Sequence, residues 1–234
     1  MIDIVIPLGT GSKWRNNELR YALRSIDKHL YDVRHVVIVG ELPSWCTNII
    51  HIPAKNKPGR KEFSIFSKIM ASVNDSQVSN PFVFSNDDIF LLKKISAYEI
   101  PFWYDNTLQH WYNKSSGHYK GAISNVINEV RHSDLYTDIH APIVYLKERM
   151  QHIEAKIDWS REYVVKSLYT SVNFFGDYQF EEMQDCKINA NRTEQEIKAL
   201  IKDRLFFSVG DYGINAAMRK ILFELFPEKS KFEL

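Results

Sequence analysis

A strand–helix–strand unit at the start of the chain sets the strongest limit on its fold. Residues 2–8 are a nearly continuous β-branched run, typical of a strand that is buried on both faces. Residues 17–30 place apolar side chains on one helical face, and residues 35–40 form a second buried strand. Because strands joined by a crossover helix lie parallel, we predict an α/β fold with an open, mostly parallel sheet and helices on both faces.

A buried strand farther along the chain ends in two adjacent carboxylates. Residues 82–84 are apolar, Asp87 and Asp88 come soon afterwards, and residues 89–92 are apolar again. Unpaired carboxylates are costly at the end of a buried strand, and Mg²⁺ binds one or two carboxylates together with substrate phosphates. Asp87 and Asp88 are therefore predicted to hold Mg²⁺ or Mn²⁺. The alternative is a plain turn, in which aspartate is common.

Glycine-containing turns follow the first two strands of the predicted sheet. Gly9 and Gly11 come after the first strand, and Gly40 comes at the end of the second. Ligands of open α/β sheets bind outside the carboxyl ends of the strands, so these turns are expected beside Asp87 and Asp88. Gly9 and Gly11 are predicted to contact a phosphate, although close packing alone is an equally common reason for such glycines.

The composition indicates the compartment and the kind of partner. The chain has 30 Lys and Arg against 29 Asp and Glu, so no overall positive charge attracts it to nucleic acid. Its two cysteines, Cys46 and Cys186, lie in no metal-binding spacing, which favours a reducing compartment. No stretch is long and apolar enough for a signal peptide or a membrane span, and a cytoplasmic protein is predicted.

Residues 96–234 differ in composition from residues 1–95, because aromatic side chains are interspersed there with Asn, Gly and His. They are predicted to form a lobe rich in loops and aromatic residues. No low-complexity linker separates the two parts, so residues 1–234 are predicted to be a single domain. Pro142 places the apolar residues after it in a loop or an edge strand, since proline cannot sit inside a sheet. The spacing of Thr193 and Glu196 predicts a capped helix, and a last helix is predicted to end before Pro227.

Four stretches resemble the Stealth family, the nucleotide-sugar-dependent hexose-1-phosphate transferases of bacterial capsules. They are the opening strand and glycine turn, residues 16–45, the strand end at Asp87 and Asp88, and residues 222–234. His140 falls where the family has a functional histidine. Asp211 falls where the family has an acidic pair, of which one carboxylate remains here. The resemblance implies a GT-A-like (Rossmann-like) fold, a UDP-type donor, a divalent metal and a bacterial or phage-infected cell.

This resemblance makes metal-dependent transfer of a sugar or a sugar-1-phosphate from a nucleotide sugar the leading hypothesis. Residues 1–95 would bind the donor, and residues 96–234 would bind the acceptor and carry out catalysis. His140 and Asp211 are predicted to be catalytic. The residues predicted to contact the donor are Gly9, Gly11, Asn17, Arg20, Arg24, Lys68 and Lys166. For the two arginines, a solvated helix face is the alternative.

The predicted acceptor is a glycan, with DNA that carries hydroxylated bases as the alternative. Trp103 and Trp111 would stack against a sugar, although packing in the core of the lobe is an equally good explanation. Lys57 and Arg60 would follow a DNA backbone. Two further alternatives are a sugar-nucleotide pyrophosphorylase, which residues 8–13 superficially resemble, and a binding module that has lost catalysis.

Overall fold

The computed structural model describes residues 1–176 and 178–234. The elements of the first part are β1 (Ile2–Leu8), α1 (Asn17–His29), β2 (Leu30–Tyr31), β3 (Val33–Gly40), β4 (Ile49–Ile52), α2 (Lys61–Asn74), β5 (Phe82–Phe84), β6 (Ile89–Leu91) and β7 (Ile95–Ser96). Those of the second part are β8 (Phe102–Tyr104), α3 (Leu108–Lys114), α4 (Gly117–Glu129), β9 (Ile143–Tyr145), α5 (Lys147–Lys156), α6 (Val165–Val172), β10 (Phe180–Glu182), β11 (Lys187–Ile188), α7 (Glu194–Ile201), β12 (Phe206–Val209) and α8 (Ala216–Leu225).

The central sheet has the strand order β4-β3-β1-β5-β9. Strands β1, β3, β4 and β5 are parallel, as predicted, and β9 pairs antiparallel with β5 at the edge. The crossover from β1 to β3 runs in the opposite direction to the crossover from β4 to β5. Because such crossovers are right-handed, α1 and α2 lie on opposite faces of the sheet. Pro142 directly precedes the edge strand, where its missing N–H costs no ladder hydrogen bond.

A smaller sheet continues the chain beyond the acidic pair. It has the order β11-β12-β6, and β6 starts immediately after Asp88. The backbone N–H of Val209 donates to the carbonyl of Asp88 at 3.2 Å, which ties the acidic turn to β12. The turn with Asp87 and Asp88 therefore joins two sheets and is held from both sides. Among residues 1–176 and 178–234, no helix combines the length and the apolar character needed to cross a bilayer.

The second part of the chain contains more helix than the sequence analysis predicted. Two helices, α3 and α4, lie in the aromatic segment that was expected to be loops. Their apolar residues are few, and α3 has only 7 residues, so periodicity gives a weak signal there. Large aromatic side chains make the core of this part; the ring of Trp103, for example, is buried 5.0 Å from that of Phe206.

A buried salt bridge fixes the end of the chain to α1. The carboxylate of Glu233 accepts from Arg24 Nε at 2.7 Å and from Arg20 Nη1 at 2.9 Å, and its side chain is fully shielded from solvent. Arg24 also donates to the carbonyl of Phe226 at 3.0 Å. Burial by itself raises the pKa of Glu233, but hydrogen bonds from Arg24, Ser230 and Arg20 outweigh it and lower this pKa to about 2.

We expect Glu233→Ala to lower the free energy of unfolding by about 3 kcal/mol, because two arginines lose a shielded partner. The exposed Glu228 of the same tail supplies the matched control, and Glu228→Ala should change stability little. The carboxylate stabilises the fold above its ordinary pKa of 4.5, and this contribution is lost as the pH falls towards about 2. Urea unfolding across that pH range measures both effects. Equal stability of the two variants at neutral pH would contradict this role.

Candidate functional site

A cleft of about 410 Å³ opens at the carboxyl ends of β1, β5 and β12. These strands end at one place because β1 and β5 are parallel neighbours and β12 binds the turn after β5. Charged groups of both signs and glycines dominate the lining, which includes Gly9, Gly11, Ser12, Lys13, Trp14, Glu18, Lys61, Asp87, Asp88, Lys187, Asn189, Gly210, Asp211 and Tyr212. The structure thus brings the predicted glycine turn and the predicted acidic pair into one cleft.

The negative charge of the acidic pair, Asp87 and Asp88, is only partly offset by its neighbours in this cleft. Among the described residues, the buried Oδ1 atom of Asp88 has no hydrogen-bond partner, and the same holds for Oε2 of Glu18. Burial, together with the carboxylates of Asp88 and Glu18, raises the pKa of Asp87 to about 8. A shielded carboxylate oxygen of Asp88 beside the carboxyl group of Asp87 is a pair that suits a divalent cation whose remaining ligands come from elsewhere.

The acidic pair fits Mg²⁺ or Mn²⁺ as part of a shared site. In the described part of the chain, no three His, Cys, Asp or Glu side chains are arranged so that they alone could hold a metal ion. Mg²⁺ commonly takes one or two carboxylates and completes its shell with phosphate oxygens and water. Asp87 and Asp88 are therefore the residues that would hold such an ion. Glu18 was missed in the sequence because an acidic residue in the first turn of a helix is ordinary.

Three lysines face the acidic groups across the cleft. Lys187 Nζ lies 3.5 Å from Asp88 Oδ2. Lys13 Nζ lies 3.7 Å from Asp211 Oδ2 and 4.8 Å from the ring centre of Tyr212. Lys61, the third, begins α2. Cations beside a predicted metal site are suited to the oxygens of a diphosphate. The sequence analysis did not identify Lys187, because no pattern distinguishes it from a surface lysine.

The loop after β1 is shaped by its own hydrogen bonds. Ser12 Oγ accepts from the backbone N–H of Asn16 at 2.7 Å, and Asn17 Nδ2 donates to the carbonyl of Trp14 at 2.6 Å. A Cβ atom at Gly9 would lie 3.3 Å from Asn56 Nδ2, so packing already favours glycine there. A Cβ atom at Gly11 would have no atom of the described residues within 4 Å. Gly9 and Gly11 line the cleft, whereas the side chain of Asn17 braces the loop from outside it.

His140 is part of a hydrogen-bonded chain that ends at the acidic pair. Its Nδ1 lies 2.8 Å from Asp185 Oδ2, and its Nε2 lies 3.0 Å from Lys187 Nζ, which in turn contacts Asp88. Burial alone raises the pKa of Asp185, but hydrogen bonds from His140 outweigh it and lower this pKa below its ordinary value. His140 therefore reaches the cleft through Lys187 and does not line it directly. Asp211, the other predicted catalytic residue, lies exposed on the rim.

Lys68 and Lys166 are buried beneath the loops and do not line the cleft, and their contact with the donor stays a prediction. Lys68 Nζ donates to the carbonyl of Leu8 and to Asn56 Oδ1, both at 2.7 Å. Lys166 Nζ donates to the carbonyls of Ile139 and Ala141 at 2.8 and 2.7 Å. Burial lowers the pKa of both lysines. Their ammonium groups are used to hold backbone turns in place.

The predicted arginines of α1 are likewise engaged elsewhere. Arg20 and Arg24 bind Glu233, so their guanidinium groups are directed at the end of the chain and are absent from the lining of the cleft. The alternative of a solvated helix face is also incorrect, because Arg24 is mostly buried in this contact. The cause is a partner more than two hundred positions away, which helical periodicity cannot reveal.

The residues predicted to bind the acceptor are scattered. Trp103 is buried in the core, which was the alternative to stacking on a sugar. Trp111 is half-buried, stacks 4.9 Å from the ring of Tyr136 and donates from Nε1 to a backbone carbonyl. Arg60 donates to the backbone carbonyl of Trp159 at 2.8 Å. Lys57 is exposed. None of these predicted side chains lines the cleft described above.

Comparison with solved structures identifies the fold class. An active-site mutant of LgtC matches 96% of this chain and 95% of its own, with a TM-score of 0.50 and 10% sequence identity. The fold is GT-A-like. A glycosyltransferase involved in the glycosylation of the major capsid of PBCV-1 matches 96% of this chain and 100% of its own, with a TM-score of 0.44 and 11% identity. No family model and no curated protein sequence matches the chain. The predicted GT-A-like α/β fold class is thus confirmed, and membership of the Stealth family stays a prediction.

We expect Mn²⁺ to raise the melting temperature of the wild type, because a cation compensates the buried carboxylates. At a hundredfold excess over Kd the gain is about 2.7 kcal/mol. Asp88→Asn should abolish this shift and, without metal, should be more stable than the wild type, since charge repulsion at Asp87 is removed. Asp211→Asn is the matched control, since it removes a rim carboxylate and should keep the shift. Thermal unfolding with Mn²⁺ and with EDTA measures this, and equal shifts in Asp88→Asn and the wild type would refute the metal site.

Proposed function

We propose that this protein transfers a sugar from a nucleotide-sugar donor to an acceptor hydroxyl in the cleft at the carboxyl ends of β1 and β5. The observation that carries the proposal is the juxtaposition of under-compensated Asp87 and Asp88 with three cleft lysines and a glycine turn. A nucleoside diphosphate bridged by a divalent cation satisfies both charges at once. The GT-A-like fold is compatible with this use.

In the proposed complex the donor diphosphate lies between the glycine turn and Lys187. Gly9 and Gly11 allow a close approach of the backbone, and Lys13 and Lys187 contribute ammonium groups to the phosphate oxygens. A metal ion held by Asp87 and Asp88 would stabilise the negative charge of the leaving group. The exposed ring of Tyr212 on the rim offers an apolar face for the base or the sugar.

The reaction exchanges one bond at the sugar for another. The acceptor oxygen forms a bond to C1 of the sugar, the bond between C1 and the diphosphate oxygen breaks, and the nucleoside diphosphate leaves with the electron pair. The acceptor proton must pass to a base, and we assign this role to Asp211, a carboxylate that lines the cleft. The lysines act through their charge.

We propose a neutral glycan, not DNA, as the acceptor. The guanidinium of Arg60 is engaged by the carbonyls of Trp159 and Arg161, at 2.8 and 3.1 Å, which would have to be released before it reached a DNA phosphate. The lining of the cleft itself includes the carboxyl groups of Glu18, Asp88 and Asp211. Acidic groups in the cleft disfavour a polyanion and are compatible with hydroxyl-rich ligands.

Incubation with UDP-sugars, Mn²⁺ and a glycan panel should release UDP, and Asp88→Ala should slow the release roughly 10²-fold or more. The matched control is Asp203→Ala, which removes an exposed carboxylate remote from the cleft and should turn over normally. The product identifies the reaction. Release of UMP would indicate sugar-phosphate transfer, and release of pyrophosphate from UTP and a sugar phosphate would indicate a pyrophosphorylase. No turnover of any nucleotide sugar would reject the proposal.

The identity of the acceptor is tested separately, by the salt dependence of the KM for the acceptor. We expect the KM for the acceptor to be almost independent of salt, and the double variant Lys57→Glu/Arg60→Glu to leave that KM unchanged. DNA bound through four phosphates would instead show a log–log slope of about −3 to −4. A steep slope that the double variant removes would favour DNA over a glycan.

A further inference from the structure

The ring of His140 lies between a carboxylate and an ammonium group. Nδ1 is 2.8 Å from Asp185 Oδ2, and Nε2 is 3.0 Å from Lys187 Nζ. An ammonium group has only N–H donors, so Nε2 must accept, and a carboxylate only accepts, so Nδ1 must carry the proton. An imidazole that accepts at Nε2 and donates from Nδ1 carries a single ring proton, so the hydrogen-bonding pattern is that of a neutral ring. The contacts therefore fix one tautomer of His140.

The position of this ring is fixed from three directions. The backbone N–H of His140 donates to Asp185 Oδ1 at 3.2 Å, so one carboxylate holds both the backbone and the ring. Lys166 Nζ, which is buried, donates to the carbonyls of the residues on either side, Ile139 and Ala141. Rotation of the ring would break its bonds to Asp185 and Lys187, and the backbone that carries it is held by Asp185 and Lys166. His140 is a preorganised acceptor.

The fixed ring of His140 determines how the ammonium group of Lys187 is held. Its Nζ contacts His140 Nε2 and Asp88 Oδ2, at 3.0 and 3.5 Å, and its side chain lines the cleft. Among the described residues, these contacts occupy two of its three N–H donors, and one is left for an anion in the cleft. A general base at His140 would need a free lone pair on Nε2, and that lone pair is already occupied by Lys187.

We propose that His140 is a positioning residue whose neutral ring aims the Lys187 ammonium at the phosphate of the bound donor, and that Lys187 is the group that touches the substrate. The sequence analysis predicted a catalytic role for His140 itself, and this inference replaces it. The identity of the anion rests on the proposed function. The arrangement of Asp185, His140 and Lys187 does not.

The tautomer is measured without any substrate. Long-range ¹H–¹⁵N spectra of protein labelled at histidine should show His140 with a proton on Nδ1 and none on Nε2 at neutral pH. The signal is assigned by its absence in His140→Gln. Lys187→Met should shift the Nε2 resonance and leave the proton on Nδ1. A proton on Nε2, or a doubly protonated ring, in the wild type would overturn the inference.

Two amide variants separate positioning from base catalysis. Glutamine at position 140 reaches the place of Nε2 with an amide oxygen and can still accept from Lys187, whereas asparagine reaches only the place of Nδ1. We expect His140→Asn and Lys187→Met each to raise the donor KM about tenfold, the loss of one charge-assisted contact, and His140→Gln to stay within about threefold of the wild type. The double variant His140→Asn/Lys187→Met should be no worse than either single variant.

The opposite pattern would identify a base. Neither amide takes up a proton, so a general base at His140 predicts that both variants lose kcat by roughly 10²-fold or more with the donor KM unchanged. Melting temperatures identify any variant that is merely unfolded, and the wild-type tautomer decides the question in that case. Absence of turnover together with the Nδ1–H tautomer would reject the proposed function alone. Turnover with the other tautomer would reject this inference alone.

Discussion

Shielded negative charge at the end of β5 is the constraint on which the cleft depends. Asp87 and Asp88 lie where two sheets meet, and burial raises the pKa of Asp87 because its charged form is poorly solvated. A folded protein tolerates such charge only if cations offset it. Lys187 supplies part of that offset, and a donor-bound metal would supply the rest. On the proposed function, the stability given up at this turn would be the source of affinity for a cationic ligand.

Cations are placed at different depths around this charge. Lys13 and Lys61 stand at the surface of the cleft, and Lys187 stands against the acidic pair. Lys68 and Lys166 are buried, and each binds backbone or amide oxygens of a loop that borders the site. The buried lysines shape the site while the exposed ones remain available to a ligand. Depth in the fold, which composition does not encode, separates the two roles.

The sequence predicted the layers of the fold well because its strands are nearly uninterrupted apolar runs. Residues 2–8 and 35–40 can only be buried strands, and the shared edge of Gly9, Gly11 and Asp88 follows from parallel pairing. Local patterns did not predict Lys187 or Asp185. Strand β11 carries Lys187 and pairs with β12, which brings Lys187 to Asp88, 99 positions earlier in the chain. Tertiary contacts of that kind leave no periodic trace in the sequence.

The buried salt bridge between Glu233 and the two arginines of α1 shows why a good sequence match need not mark a binding residue. Two of the stretches that resemble the Stealth family, residues 16–45 and 222–234, are joined in the structure through Arg20, Arg24 and Glu233. Each stretch supplies one half of a shielded salt bridge, and either half alone would leave an uncompensated charge. These arginines position α1, the helix that follows the glycine turn and carries Glu18 into the cleft. In this arrangement the two arginines act on the cleft through the position of a helix.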